Sequence, residues 1–169
     1  MSSVELRTER LALRLLAADD LEDYAALYAD PDVVRFIGDG KSATREESAE
    51  WLERTLHRNA ALGWEMRTVR LHDGTFVGRC GVARHELDHG TVHEVGYILA
   101  REHWGRGYAT EAATAVRDHA LDALGLRRLV ALVAVGNDAS VRVAEKLGMA
   151  FEREVPFHGR TTRMYALEV

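Results

Sequence analysis

The feature that most limits the fold is the stretch from Thr91 to Val135. A strand-like run, Thr91 to Leu99, leads into Trp104-Gly105-Arg106-Gly107-Tyr108-Ala109-Thr110. A helical stripe of Ala109, Ala112, Ala113, Val116, Ala120 and Leu124 follows and stops at Gly125, after which Leu129 to Val135 is a nearly unbroken apolar run. Strand, glycine loop, helix and strand in that order form a crossover, which sets its two strands parallel when they share a sheet. An apolar run without alternation suits a central strand covered on both faces. The stretch predicts an α/β domain with a parallel pair inside its sheet.

The flanks add antiparallel strands. Leu11 to Leu16 reads as a first strand, with Asp19 and Asp20 offered as caps for a helix through Leu21, Tyr24, Ala25 and Tyr28 that Asp30-Pro31-Asp32 stops. Thr44 with Glu47 three residues on has the capping-box spacing and opens a helix through Trp51, Leu52, Leu56 and Leu62 to Gly63. Trp64 to Leu71 and Phe76 to Ala83 flank the hairpin signal His72-Asp73-Gly74-Thr75, and Asp88-His89-Gly90 precedes the next strand. A short helix from about Asp138 to Leu147 ends at Gly148, and Phe151 to Phe157 and Thr162 to Glu168 flank a tip at His158-Gly159. With 169 residues, no repeat and no linker, residues 1–169 read as one domain.

Lys and Arg total 22 against 27 Asp and Glu, for a net charge of −5 with no basic block, so nucleic acid is an unsuitable partner. A mildly acidic field would favour a cationic amine. The single cysteine, Cys80, lies in a strand-like run and reads as a buried, inert thiol in a reducing compartment. No apolar run approaches the ~20 residues that span a bilayer and no secretory leader opens the chain, so the expected location is the cytoplasm, away from membranes.

The loop at Gly105 to Thr110 stands between a strand and a helix, where backbone N–H groups converge on an anion and glycines let the chain approach it. A pyrophosphate suits it, with Arg106 adding a charged contact; a plain turn would also use glycines there. A dinucleotide-binding oxidoreductase would need a third glycine and an acid about 20 residues on, where Arg127 and Arg128 stand. A phosphate-loop NTPase would need Lys followed by Ser or Thr.

Trp104-Gly105-Arg106-Gly107-Tyr108-Ala109 resembles the pattern of GNAT acetyltransferases, which is Gln or Arg, two residues, Gly, one residue, then Gly or Ala. Trp replaces the first polar residue, as in the group acting on ribosomal-protein N-termini. The resemblance extends through Thr8-Glu9-Arg10-Leu11, Leu13-Arg14, Asp30-Pro31, Asn137-Asp138-Ala139-Ser140 and Glu145-Lys146-Leu147-Gly148-Met149. It implies a GNAT fold, a mixed sheet of about seven strands flanked by about four helices, with parallel strands splayed around Val95 and Val133. It further implies acetyl-CoA as cosubstrate: Ile98 and Leu99 would pair with the pantetheine arm, Gly105, Arg106, Gly107, Tyr108, Ala109 and Thr110 would hold the pyrophosphate, and Asn137 would hydrogen-bond the arm.

Direct acetyl transfer without a covalent enzyme intermediate needs a base for the amine, a donor for the thiolate and an N–H for the oxyanion. Glu94 shares a strand face with Gly96 and Ile98 and is the candidate base; the alternative is a carboxylate paired with an arginine. The tyrosine that many family members carry seven residues after the asparagine is Ala144 here, so the resemblance makes Ser140 the candidate acid, against a plain first-turn polar residue. A backbone N–H near Leu99 would serve the oxyanion. The resemblance implies an amine acceptor, with a protein N-terminus ahead of a small molecule. A non-catalytic acyl-CoA sensor is the alternative raised by Ala144. The sequence is compatible with a homodimer and carries no signature of one.

His85-Glu86-Leu87-Asp88-His89 spells a zinc-protease pattern, but both rings share a face only on a helix, and this stretch follows a strand and runs into Gly90, so no metal is expected. The other histidines are scattered. Trp51, Trp64, Tyr24, Tyr28 and Phe36 read as core or pocket wall.

Overall fold

The computed structural model describes residues 4–61 and 65–169. Its strands are β1 (Leu6–Arg7), β2 (Leu11–Leu15), β3 (Glu65–Leu71), β4 (Phe76–Leu87), β5 (Gly90–Leu99), β6 (Arg128–Ala134), β7 (Ala150–Phe157) and β8 (Arg160–Glu168). Its helices are α1 (Leu21–Ala29), α2 (Pro31–Val34), α3 (Arg45–Ala61), α4 (Tyr108–Asp122) and α5 (Asp138–Lys146). The strands form one sheet in the order β1-β2-β3-β4-β5-β6-β8-β7. Each neighbouring pair is antiparallel except β5 with β6, which the α4 crossover sets parallel.

The described residues hold one strand and one helix more than expected. β1 has two residues, too few for a period-two signal. α2 begins at Pro31 because the Asp30 carboxylate accepts from the Asp32 amide at 3.0 Å, so the Asp-Pro pair that ends α1 also opens a further turn. The Thr44–Glu47 box is formed in both directions: the Glu47 amide donates to Thr44 Oγ1 at 3.2 Å, and the Thr44 amide to Glu47 Oε2 at 2.7 Å. The anticipated helix end at Leu62-Gly63 and strand start at Trp64 lie outside the described residues. His158 and Gly159, with φ of 50° and 73°, make the two-residue turn between β7 and β8.

Asp20 differs from its expected role. It makes no side-chain cap to α1; instead, fully buried, it accepts from the Ala17 amide, from Thr68 on β3, and from Arg14 and Arg70. The carboxylate ties the entry of α1 to β2 and β3.

Alternation sorts β5 onto two faces. Val95 and Leu99 pack with Leu11, Leu13, Val69 and the Ala112, Val116 and Ala120 stripe of α4. On the opposite face Ile98 joins a cluster with Tyr24, Leu27 and Leu52 of α1 and α3, while Val92 joins Val130, Val155 and Met164. Each such aliphatic side chain contributes about 1.5–3 kcal/mol by leaving water. Between the last two clusters stand Glu94 and Gly96, which cannot extend the apolar cover, and a cleft opens above them. Cys80 is buried in the first cluster, and burial pushes its thiol up to about 12, so it is inert as expected.

Candidate active site

β5 and β6 register at one position, Glu94 opposite Val130, and diverge beyond it. Residues 95–99 keep their pairing to β4 on one edge. Their other edge faces the gap, the splay expected around Val95 and Val133. Ile98 and Leu99 are buried at this gap, and the Leu99 carbonyl already accepts the Trp104 indole N–H at 2.9 Å. Trp104, which takes the place of a polar residue, is thus a brace between loop and strand.

Gly105 and Gly107 both adopt left-handed φ, 71° and 81°, and Gly107 is the N-cap of α4 and offers no side-chain cap of its own. The first-turn amides, including those of Tyr108, Ala109 and Thr110, stand at a positive helix end with no side-chain acceptor among the described residues. The loop is held from below. Arg10 donates to the Arg106 carbonyl at 2.8 Å, pairs with Glu111 at 2.6 Å and lies 4.5 Å over the Tyr108 ring. The Arg106 side chain is exposed and has no ion-pair partner among the described residues.

Asn137 is the N-cap of α5, its Oδ1 accepting from the Ser140 amide at 3.3 Å. Ser140 Oγ lies 2.9 Å from the Tyr97 hydroxyl. Tyr97 escaped the sequence reading because on a strand it looks like one more apolar position, and its partner lies 43 residues away. Burial pushes its hydroxyl up to about 12, although the Ser140 bond acts in the opposite sense. Ala144, by contrast, is buried in the α4-side core.

Glu94 pairs with a histidine rather than an arginine: His85 donates from Nε2 to Oε2 at 2.7 Å, and both side chains are 18 % exposed. His85 itself stands edge-on to Phe157. Glu94 curls over Gly96, where a Cβ would meet its carboxyl carbon at 3.5 Å. His85 to Leu87 belong to β4 and Asp88-His89 to the turn before β5, so the zinc-protease spelling lies on a hairpin and lacks the helix its chemistry needs.

The cleft above Glu94 measures about 890 Å³. Ala83 and Gly96 lie in its floor, Trp51 and Met66 on one wall, and Val155 and Phe157 on the other. Alternation along β5 turns Glu94 to the face that carries His85 and Tyr97 to the face of α4 and α5, where it meets Ser140, and both Glu94 and Tyr97 border the cleft.

Residues 10–150 match the acetyltransferase (GNAT) domain family. The Bacillus subtilis protein YkkB is 34% identical over 158 residues, 91% of this chain and 90% of its own length. The crystal structure of an acetyltransferase from Agrobacterium tumefaciens superposes with a TM-score of 0.84 at 31% identity, covering 100% of this chain and 96% of that one. The ribosomal L7/L12 α-N-protein acetyltransferase RimL, solved in complex with coenzyme A, shares the fold with a TM-score of 0.83 at 17% identity, over 98% of both chains. A match that runs from the last residue before β2 into β7 takes in both sides of the parting strands, and it makes this chain a member of the GNAT family of N-acetyltransferases.

Proposed function

We propose that the chain moves an acetyl group from acetyl-CoA to a primary amine, a protein N-terminal α-amine or a small-molecule amine, by direct attack in a ternary complex. The observation that carries this reading is that Glu94 and the Tyr97–Ser140 pair stand on opposite faces of β5 beside the β5–β6 gap, which gives the amine and the leaving sulfur each a protic group of their own. The uncapped start of α4, its two left-handed glycines and the exposed Arg106 suit a pyrophosphate, and the unladdered edge of β5 suits an amide-bearing arm. Bound there, the coenzyme supplies an acetyl group activated as a thioester.

The protein's part is to orient the amine and move protons. Glu94 Oε1, the oxygen that His85 does not occupy, takes the amine proton directly or through one water. His85 is a positioning residue, since it fixes the carboxylate by holding Oε2. On the other side, Ser140 Oγ delivers a proton at the sulfur and the Tyr97 hydroxyl restores it, after which solvent returns a proton to Tyr97 and takes the one held by Glu94; with burial holding the Tyr97 hydroxyl protonated, the proton is present at neutral pH. A backbone N–H near Leu99 receives the oxyanion. Ala144 no longer argues for a sensor, because Tyr97 provides a tyrosine hydroxyl from β5.

The test is coenzyme A titration by calorimetry, followed by thiol release from acetyl-CoA with a panel of amines. Heat of binding with release on at least one amine is the expected result; binding without release on any amine would reinstate the sensor. Tyr97→Phe and Ser140→Ala should each lower kcat about tenfold with little change in coenzyme affinity, and the double variant should be no slower than the worse single, because the two hydroxyls act through one hydrogen bond. Additive losses would place them in separate steps.

A further inference from the structure

The net charge of −5 does not describe the cleft. Arg54, Arg58, Arg79, Arg84 and Arg160 line it against Glu86, Asp88 and Glu94. Arg84 is matched by Glu86 at 2.7 Å and Arg54 by Glu50 at 3.8 Å. Arg79 is matched by no carboxylate among the described residues. Its guanidinium is half-buried, donates from Nε to the Tyr28 hydroxyl at 2.6 Å, and lies 3.1 Å from the Met66 sulfur through Nη1. It stacks 5.2 Å from the Trp51 ring and 5.9 Å from that of Tyr28. These contacts fix the guanidinium without neutralising it, and Nη2 has no hydrogen-bond partner among the described residues.

A half-buried guanidinium, held in place with no carboxylate beside it, presents its remaining planar donors to the cleft, where they match a carboxylate or phosphate. Arg79 sits opposite Ile98, two residues along β5 from Gly96 and four from Glu94. At about 3.3 Å per residue this sets it roughly 7–13 Å from where the base waits. Building on the acetyltransferase reading above, we infer that the acceptor is a small amine carrying an anionic group several bonds from its nitrogen, seated on Arg79 while Glu94 addresses the amine. A polycationic amine would meet like charge in the same place.

Matched acceptors test this: 6-aminohexanoate against 6-aminohexanamide, and 5-aminopentyl phosphate against 5-aminopentanol, with trialanine amide as a neutral peptide. The anionic member of at least one pair should be used with a kcat/KM at least tenfold higher, and the pair with the larger ratio tells carboxylate from phosphate. That ratio should fall toward one in Arg79→Met, which keeps the stem against Trp51, and survive in part in Arg79→Lys. Equal use of both members, faster use of the neutral peptide, or a ratio unchanged in Arg79→Met overturns the inference and leaves the acetyltransferase standing. If no amine releases thiol, the catalytic reading fails instead, and tryptophan quenching by N-acetyl-6-aminohexanoate and by N-acetyl-5-aminopentyl phosphate, each against its neutral counterpart, decides the inference. Selective quenching by either anion, lost in Arg79→Met, upholds it, and no selectivity with either overturns it.

Discussion

Glu94→Gln is expected to lower kcat about a thousandfold near neutral pH, within the range that a positioned general base contributes. Glutamine fills the same space above Gly96 and can still accept from His85 through its carbonyl oxygen, so the change removes the proton acceptor and little else. The deficit should shrink as pH rises. An α-amine has a pKa of about 7.7–8.0 and a lysine-type amine near 10.4, and an amine already deprotonated in solution asks for no base. Coenzyme A affinity measured by calorimetry should stay within about twofold. A pH–rate profile parallel to wild type would remove Glu94 from the proton path.

Asp20→Ala is expected to cost about 3–5 kcal/mol, because it removes a fully buried carboxylate that accepts from the Ala17 amide, Thr68, Arg14 and Arg70, leaving Arg70 with Asp23 and Arg14 with only the more distant Asp19. For a chain of this size that lowers Tm by roughly 6–20 °C. The loss should reach the cleft. Thr68 Oγ1 donates to Asp20 Oδ2, so the buried Tyr24 hydroxyl must be the donor to Thr68, and the Tyr24 ring stacks with Tyr28 and packs at a tilt against Trp51, the two rings that hold Arg79. Burial alone would raise the Asp20 pKa, but hydrogen bonds from the Ala17 amide, Thr68, Arg14 and Arg70 outweigh it and hold it below the ordinary aspartate range. A depressed folded-state pKa means stability that is present above the unfolded-state pKa and lost as pH falls through the folded one. Wild type should accordingly lose Tm steeply below about pH 4, and Asp20→Ala should lose less over the same interval. Equal acid slopes for both proteins would show that other carboxylates dominate.

What the sequence discloses divides along physical lines. Signals carried by neighbours a few residues apart are legible: the capping box at Thr44, the turn at His158-Gly159, the glycines ahead of Tyr108 and the α4 stripe from Ala109 to Ala120 have the geometry expected of them, whereas Leu124, expected at the end of that stripe, lies past Asp122 and is exposed. Features made by contacts between distant segments are not. Asp20 looks like a helix cap because Leu21 starts a helix, yet its partners Thr68 and Arg70 are 48 and 50 residues on. Tyr97 and Arg79 sit in strand runs where alternation assigns them a face and says nothing of what else comes to it. Alternation gives Glu94 the face of Gly96 and Ile98, but its pairing with His85, nine residues back across the β4–β5 hairpin, has no local signal beyond a zinc-protease spelling that points elsewhere.

The lone register point between β5 and β6 has a mechanical meaning. It leaves the sheet as two leaves, β1 to β5 and β6-β8-β7, that share a single rung. Each leaf has its own twist to satisfy, and across the seam the two are joined by one ladder position and by the α4-side core that packs under both. Met66 and Ile98 on one leaf face Val155 and Phe157 on the other across the cleft, so the seam doubles as the joint that sets how wide that opening stands.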